Sequence, residues 1–412
     1  MGWRRDWLVA GVLALAMVAG CGTTTVPDWV AANASPLTTV RPTDPLDDLA
    51  PLRAAVADAD VVGLGESVHG AAQELTLKHR TLRVLVEQLG FRSVAWEEDW
   101  TTGQRINDFI AGGGGDLSAL MGRMSPQWQS REVADVLQWL RDFNTGRPDK
   151  VQFVGVEYYL TGADAYADVD AYVAAAAPGR LAELRAHLAP IRPATANAFE
   201  HIQAYTQVPD KQPLLAHARA VHDLVAGLPQ GDRAHAEAVH TARQIVSFHE
   251  HFALPEPASH SYRDAHAAAN LAWWRDLTGD RIAYWAASPH TATARALRIT
   301  SQDGELRFTS TGAHLRDRYG ARYLSIGFLF DHGAELPAPA EGWFEQPLGQ
   351  AGPFVLDLRG SAPPEVRRWL DAPIVTRGPN GPGSVTTGGT AAQWFDLIVH
   401  VDAVTPTGGP PV

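Results

Sequence analysis

The sequence has a single cysteine, at position 21, among its 412 residues. One cysteine cannot form an intramolecular disulfide, which excludes a disulfide-stapled fold and a cysteine-rich zinc site. Basic residues are also few, because 34 Lys and Arg stand against 46 Asp and Glu, giving a formal charge of -12. That balance argues against a nucleic-acid partner, which requires a basic surface. Hydrophobic residues make up 45% of the chain, enough for a large globular core.

No apolar stretch is long enough to cross a bilayer, and the first one has another meaning. Arg4 and Arg5 precede an apolar run from Trp7 to Ala19, the pattern of a signal peptide over residues 1–21. Its last four residues, Val-Ala-Gly-Cys, resemble a bacterial lipobox, in which the cysteine is acylated and becomes the mature N-terminus. We therefore expect an exported protein held at the cell membrane by lipid on Cys21; the alternative is an uncleaved N-terminal anchor.

The rest of the chain divides by composition. Residues 22–48 are rich in Thr, Pro, Ala and Asp, which predicts a flexible tether, and residues 405–412 form a Gly/Pro-rich tail. Residues 162–255 carry apolar side chains at helical spacing between prolines, which predicts a helical cap inserted over the strand ends. The predicted core therefore comprises residues 49–161 and 256–404.

Short apolar runs alternate with helical patterns within this core. The predicted strands are 61–65, 91–96, 151–156, 281–287, 323–330, 354–358 and 395–401, and the clearest helices are 73–89, 130–143 and 262–277. Glycine and proline predict a loop over residues 378–389. Strands that alternate with helices predict an α/β fold with a mostly parallel central sheet flanked by helices.

Three predicted strands end in acidic or imidazole side chains. Glu66 and His69 lie between two glycines after the first strand, Glu97 ends the second strand, and His290 follows the fourth. Because the carboxyl ends of parallel strands meet at one edge of a sheet, we expect these four side chains to share one cleft. A carboxylate beside an imidazole orients it and raises its basicity, as a water-activating base requires.

These motifs, taken in order, resemble the erythromycin esterase family. The matching segments are GLGESVHG (63–70), ELTLKHRTLRVLVEQLGF (74–91), AWEEDW (95–100), WQSREVADVLQWLRDFN (128–144), FVGVE (153–157), YRDAHAAANLAWW (262–274), IAYWAASPH (282–290) and GAHLRDRYGARYLSIGFLF (312–330). The resemblance implies an α/β core with a helical cap and hydrolysis of a cyclic ester without metal or cofactor. It also implies that His69, oriented by Glu66, activates water and that Glu97 positions that water or relays its proton. Lys78 and His290 would stabilise the developing oxyanion.

The chain departs from the family pattern at functional positions. Lys78 stands where members with esterase activity carry Arg. Lysine keeps the positive charge but cannot donate the two parallel hydrogen bonds of an Arg guanidinium. Ala287 and Ser288 replace the His-Asn pair of the late motif, and Glu157 stands where Asp is common. Loss of such an imidazole costs roughly two to four orders of magnitude in rate, so hydrolysis of macrolides does not follow.

The remaining candidates are contacts to the substrate. Trp100 and Trp128 are predicted to line an apolar pocket. Glu157 is a further predicted substrate contact. His266 and His314 are candidates for a compensating imidazole, and His266 is also a predicted substrate contact. The many histidines of the insert lack a matching carboxylate spacing, which favours a solvated helical face over a metal site.

Three hypotheses follow. The first is an exported, lipid-anchored hydrolase of a small-molecule ester or lactone other than a macrolide. The second is a ligand-binding lipoprotein whose turnover was lost with the imidazole that Ala287 replaces. The third is a metal-dependent hydrolase, because two carboxylates and two imidazoles can satisfy a divalent ion.

Overall fold

The computed structural model describes residues 24–409 except 230, 257, 303 and 350. The predicted signal peptide, with the acylation site Cys21, lies outside the described residues, as does the end of the predicted tail. Within the described part, no helix is both long enough and apolar enough to span a membrane.

The core is an eight-stranded sheet in which six neighbouring strands run parallel. The strands of the protein are β1 (Ser35–Pro36), β2 (Val61–Glu66), β3 (Ser93–Asp99), β4 (Gln152–Glu157), β5 (Ile282–Ala287), β6 (Leu297–Ser301), β7 (Gly304–Phe308), β8 (Tyr323–Gly333), β9 (Phe354–Asp357), β10 (Pro373–Arg377), β11 (Val385–Thr390) and β12 (Leu397–Val404). The large sheet has the order β1-β9-β12-β8-β2-β5-β3-β4, with β9 and β1 antiparallel at one edge. This confirms the predicted α/β fold.

Helices cover both faces of this sheet. They are α1 (Val26–Asn33), α2 (Ala50–Ala55), α3 (Ala72–Arg83), α4 (Trp100–Ile110), α5 (Leu117–Met121), α6 (Arg131–Asn144), α7 (Ala163–Ala176), α8 (Leu181–Leu188), α9 (Ala198–Thr206), α10 (Gln212–Ala226), α11 (Arg233–His251), α12 (Ala258–Thr278), α13 (Ser288–Thr291), α14 (Thr311–Tyr319), α15 (Pro364–Asp371) and α16 (Ala391–Trp394). Successive strand residues alternate between the faces: Val62 joins the buried cluster that contains Leu75 of α3, and Val61 joins the one that contains Leu271 of α12. Both faces are therefore apolar, as a buried parallel sheet requires.

A second, antiparallel sheet of four strands, ordered β10-β11-β6-β7, was not predicted. Most of β11 falls within residues 378–389, so the prediction of a loop there is wrong in part. The strands are half-exposed and rich in Thr, Gly and Arg, which gives a weak apolar signal. Leu297 and Ile299 nevertheless face inward while Arg298 between them is exposed, so the sheet packs on the core by one face.

Helices α7 to α11 form the inserted helical unit. They bury side chains of their own, among them Val169, Leu184, Val221 and Ile245, in a cluster separate from those of the large sheet. The predicted solvated face is wrong for several of the insert's histidines. Those that are buried are His201, His240, His249 and His251.

The buried histidines make the insert sensitive to acid. Burial holds the pKa of His240 at about 3, below the ordinary value of 6.5. As the pH falls below 6.5, His240 therefore takes up a proton in the unfolded chain but stays neutral in the folded chain. The free energy of unfolding then drops by about 1.4 kcal/mol per pH unit for such a histidine. Because His240 stacks on Trp273, we expect His240→Phe to keep the packing and lose less stability between pH 7 and pH 5 than the wild type in urea unfolding. An equal loss would contradict this.

The N-terminal segment packs on the core, which differs from the flexible tether expected over residues 22–48. Helix α1 buries Trp29 and Val30, and β1 pairs with β9. Arg80 of α3 lies beneath the segment and donates to Asp48 at 2.7 Å. A few buried apolar residues and one ion pair thus order a stretch whose Thr/Pro composition predicts a coil.

Part of the predicted tail packs as well. The Thr407 N–H donates to the carbonyl of Gly70 at 2.9 Å, directly after the loop that carries His69. Thr405 accepts from the Gln73 side chain at 3.1 Å. These residues therefore support the site loop.

Candidate active site

The carboxyl ends of β2, β3, β4 and β5 surround a cavity of about 590 Å³. Its polar lining includes His69, Glu97, Glu157, Arg263, Asp264 and His290. Phe199 of the helical insert forms one wall, and Ile299, Leu306 and Phe308 of the small sheet form another. The cavity is therefore covered by two units, not by the helical insert alone as expected.

His69 is oriented by Glu66. Its Nδ1 lies 2.9 Å from Oε1 of Glu66, whose side chain is fully buried, while 18% of the His69 side chain is exposed. Burial acts to raise the pKa of Glu66, but the charge of Lys78 and the hydrogen bond from His69 outweigh it and leave that pKa below its usual value. A carboxylate that accepts from Nδ1–H fixes the tautomer in which Nε2 is free to take a proton.

Lys78 lies behind Glu66 and does not reach the cavity. Its ammonium donates to Oε2 of Glu66 and, at 3.2 Å, to the carbonyl of Ala286. It also lies 4.2 Å from the centroid of the Trp285 ring, and its side chain has no exposed surface. The oxyanion contact predicted for Lys78 does not fit this position. Its charge instead keeps Glu66 ionised.

Two glycines and a buried acid hold the loop between Glu66 and His69. A Cβ on Gly65 would lie 2.1 Å from a side-chain oxygen of α13, so glycine lets that helix pack against β2. Gly70 has a φ of 81°, which favours glycine. Glu74 accepts from the N–H groups of Ser67 and Val68, each at 3.2 Å. The imidazole is thereby fixed from both ends of the loop.

Arg263 joins two buried carboxylates at the cavity wall. Its Nη2 donates to Oε1 of Glu97 and its Nε donates to Oε2 of Glu157, both at 3.0 Å. Burial acts to raise the pKa of Glu97, but the charges of His290 and Arg263 hold it at about 2. Burial prevails at Glu157 and raises its pKa. Glu97 is therefore an anion throughout the physiological range.

His290 lies between two acids. Its Nδ1 lies 2.9 Å from Oδ1 of Asp264 and its Nε2 lies 3.4 Å from Oε1 of Glu97. Burial acts to lower its pKa, but these two negative charges raise it to about 9. His290 is thus an imidazolium at neutral pH, a group suited to stabilise a developing oxyanion.

The three acids at the end of β3 occupy three different environments. Glu97 faces the cavity. Glu98 accepts from the N–H of Ser125 at 2.7 Å, and burial raises its pKa to about 8. Asp99 accepts from the N–H of Thr101 at 2.9 Å and caps α4.

Two predicted substrate contacts lie away from the cavity. Trp100 is buried between core and insert, where its Nε1 donates to Oγ1 of Thr241 at 2.9 Å. His266 stacks on Tyr262 with ring centroids 3.7 Å apart and does not line the cavity. Residue type alone favoured these positions, but neither side chain lines the cavity.

Trp128 lies beneath the site, where it supports other groups. It is fully buried, and its Nε1 donates to the carbonyl of Glu97 at 2.9 Å. Its ring meets the edge of His69 with centroids 5.1 Å apart. Trp128 therefore holds both the end of β3 and the His69 imidazole in place. Of the predicted substrate contacts, Glu157 is the one that lines the cavity.

Sequence reasoning missed the cavity residues of α12. His260, Arg263 and Asp264 follow a spacing of three and four residues, which places them on one face of the helix. That face continues into the buried residues Ala267 and Leu271, a pattern that the sequence displays. His260 is a third imidazole in the cavity, a position that neither His266 nor His314 reaches.

The metal hypothesis gains no support from this arrangement. Among residues 24–409, with the four gaps given above, no group of three or more His, Cys, Asp or Glu side chains is placed to hold an ion. Glu97 and His290 contact each other. Arg263 also contacts Glu97, and Asp264 also contacts His290.

A family model described as erythromycin esterase matches residues 86–404. The chain belongs to the erythromycin esterase family. This confirms the resemblance, and the matched range begins after the loop that carries His69. Erythromycin esterase type II of Escherichia coli is 34% identical over 136 residues, which is 33% of this chain and 32% of that protein. The match thus spans about a third of the length of that relative.

Solved structures share the erythromycin esterase fold found here. A protein from Bacillus cereus is 24% identical with a TM-score of 0.80, covering 92% of this chain and 97% of its own. A succinoglycan biosynthesis protein is 24% identical with a TM-score of 0.81, covering 93% and 97%. A mutant of the erythromycin esterase EreC in its open conformation is 18% identical with a TM-score of 0.71, covering 92% and 99%.

Ala287 stands where the erythromycin esterase motif has a histidine, and it contacts a site residue through its backbone N–H. The N–H of Ala287 donates to Oε2 of Glu97 at 3.0 Å. Ser288 beside it donates its hydroxyl to the carbonyl of Gly65 at 2.8 Å. The late motif therefore still positions the acid and the strand end, without an imidazole at 287.

Proposed function

We propose that this member of the erythromycin esterase family is an exported hydrolase of an ester or lactone, in which His69 activates the attacking water. The observation that carries the proposal is the pairing of His69 Nδ1 with the buried Glu66 at 2.9 Å. That pairing leaves Nε2 as the nitrogen that can accept a proton. The side chain borders the cavity and is only partly exposed, as a base acting on a bound water requires.

The cavity has groups for the rest of the reaction. His69 Nε2 would take a proton from the bound water, and the hydroxide so formed would attack the carbonyl carbon. The charge on the carbonyl oxygen would be stabilised by His290, whose pKa of about 9 keeps it cationic. Collapse of the tetrahedral intermediate would return the proton from His69 to the leaving oxygen. Glu97, ionised and fixed by Arg263, would align the water and hold His290 in place.

A substrate screen tests this proposal. The purified protein is supplied with simple esters, lactones and macrolides, and acid release is followed in a pH-stat with and without a chelator. We expect hydrolysis of at least one ester or lactone, with a rate that the chelator does not change. No turnover of any substrate would favour the ligand-binding alternative, and loss of turnover with chelator would favour the metal-dependent one.

Export and lipid attachment form the second part of the proposal. They are supported by the signal pattern of residues 1–21 and its final cysteine. In a bacterial host, we expect the protein to fractionate with membranes and to incorporate labelled palmitate. Cys21→Ser is expected to abolish the palmitate labelling, because no other thiol exists in the chain. Labelling that persists in Cys21→Ser would contradict lipid attachment at this residue.

A further inference from the structure

A second cavity, of about 570 Å³, continues from the one that contains His69. The two cavities share wall residues, among them Pro126, Leu160 and Phe199. Phe199 stands at this junction and is 49% exposed. A large apolar side chain this exposed is rare here, since Leu254 is the other one in the described part of the chain. An exposed aromatic ring between two cavities is a stacking surface for a bound ligand.

The second cavity differs in chemistry from the first. Its polar lining has the uncharged side chains of Thr101, Thr102, Gln129 and Asn197 beside the carboxylates of Asp99 and Asp164. Its single cation, Arg123, is paired with Asp164 across the wall. No unpaired cation is therefore present among its described lining residues to hold an anionic ligand.

Hydrogen-bonding capacity remains on these uncharged side chains. Gln129 donates from Nε2 to the Met124 carbonyl at 2.8 Å, which leaves its Oε1 available. Asn197 accepts through Oδ1 from the Phe199 N–H at 2.9 Å, which leaves its Nδ2 available. The Thr102 hydroxyl has no hydrogen-bond partner among the described residues. Donors and acceptors are thus interspersed around the aromatic ring.

We infer that this second cavity is a saccharide subsite, so that the substrate is an ester carried by a sugar. Hydroxyl groups of a saccharide both donate and accept, which matches a mixture of Thr, Gln and Asn side chains. The apolar face of a pyranose ring packs on an aromatic side chain such as Phe199. An alkyl chain would leave the polar groups without partners, which costs binding free energy. The inference rests on the proposed function, because it assigns the substrate of the same site.

The test compares two acetate esters that differ only in the alcohol: methyl 6-O-acetyl-glucoside and hexyl acetate. We expect kcat/KM to be at least tenfold higher for the sugar ester. Phe199→Ala and Thr102→Val are each expected to lower kcat/KM for the sugar ester roughly 3- to 10-fold, the loss of one neutral contact. Thr102 lines the second cavity and not the first, so Thr102→Val is expected to change hexyl acetate less than twofold. Leu254→Ala is the matched control, because it removes the other exposed apolar side chain, and should affect neither ester.

A binding measurement separates this inference from the proposed function. Calorimetry with maltotriose and with methyl glucoside uses the His69→Ala protein, which does not require turnover. Binding that Phe199→Ala abolishes supports the subsite even when no ester is hydrolysed. Hydrolysis of both esters with equal kcat/KM, or the absence of saccharide binding, overturns the subsite and leaves the proposed hydrolysis intact.

Discussion

Replacement of His69 by alanine is expected to lower kcat/KM for ester hydrolysis roughly 100- to 10,000-fold, the range typical of a lost general base. The loss should appear in kcat, because His69 acts on water and contributes little to binding of the ester. Initial rates on the best substrate of the screen, measured from pH 5 to 9, give the value.

A matched variant distinguishes this effect from a general loss of histidine. His266 stacks on Tyr262 outside the cavity, so His266→Ala should change kcat/KM less than about threefold. Added imidazole should partly restore the rate of His69→Ala by entering the space that the side chain leaves. An unchanged rate in His69→Ala, with a native melting transition, would remove His69 from the mechanism.

Replacement of Arg263 by alanine is expected to have the largest effect on stability among the site residues. It leaves Glu97 and Glu157, which are 4% and 5% exposed, without their shared cation. Removal of one partner of a buried ion pair costs about 3–5 kcal/mol. We expect about 3 kcal/mol, because Arg263 itself is 24% exposed. The free energy of unfolding in urea at pH 7 measures this loss.

The chain provides a control for the Arg263 prediction. Arg105 pairs with Asp168 between α4 and the insert, and both side chains are about one-third exposed. Arg105→Ala should therefore cost less than about 1 kcal/mol. Arg263→Ala combined with Glu157→Gln should recover part of the lost stability, because it removes one of the unpaired charges. Equal losses in Arg263→Ala and Arg105→Ala would show that the buried network contributes little.

Much of the fold could be predicted because its strands are continuous apolar runs. The apolar runs that begin at Val61 and at Ile282 are each followed by polar residues. The parallel register of these two strands aligns Glu66 with Ala287. The edge of the sheet that carries His69 and His290 follows from that alignment. Chain order and strand direction were sufficient here, because one sheet brings the strand ends together.

The rest depends on contacts that no local pattern reveals. Lys78 carries a charge that suits an oxyanion, but the side chain points beneath the sheet edge, where it meets Glu66. Arg263 and His266 lie three residues apart, and only the packing of α12 decides that Arg263 faces the cavity. The small sheet escaped prediction because its strands bury only alternate side chains, such as Leu297 and Ile299.

With lipid on Cys21, as proposed, the ordered N-terminal segment would limit how far the protein can stand from a bilayer. A coil over residues 22–48 would reach roughly 90 Å when fully extended, at about 3.4 Å per residue. Helix α1 begins at Val26 and buries Trp29, so that residues 22–25 alone separate it from Cys21. Four residues reach about 14 Å. The proposed hydrolase would then work in the thin aqueous layer beside the lipid headgroups, and its substrates would have to be present there.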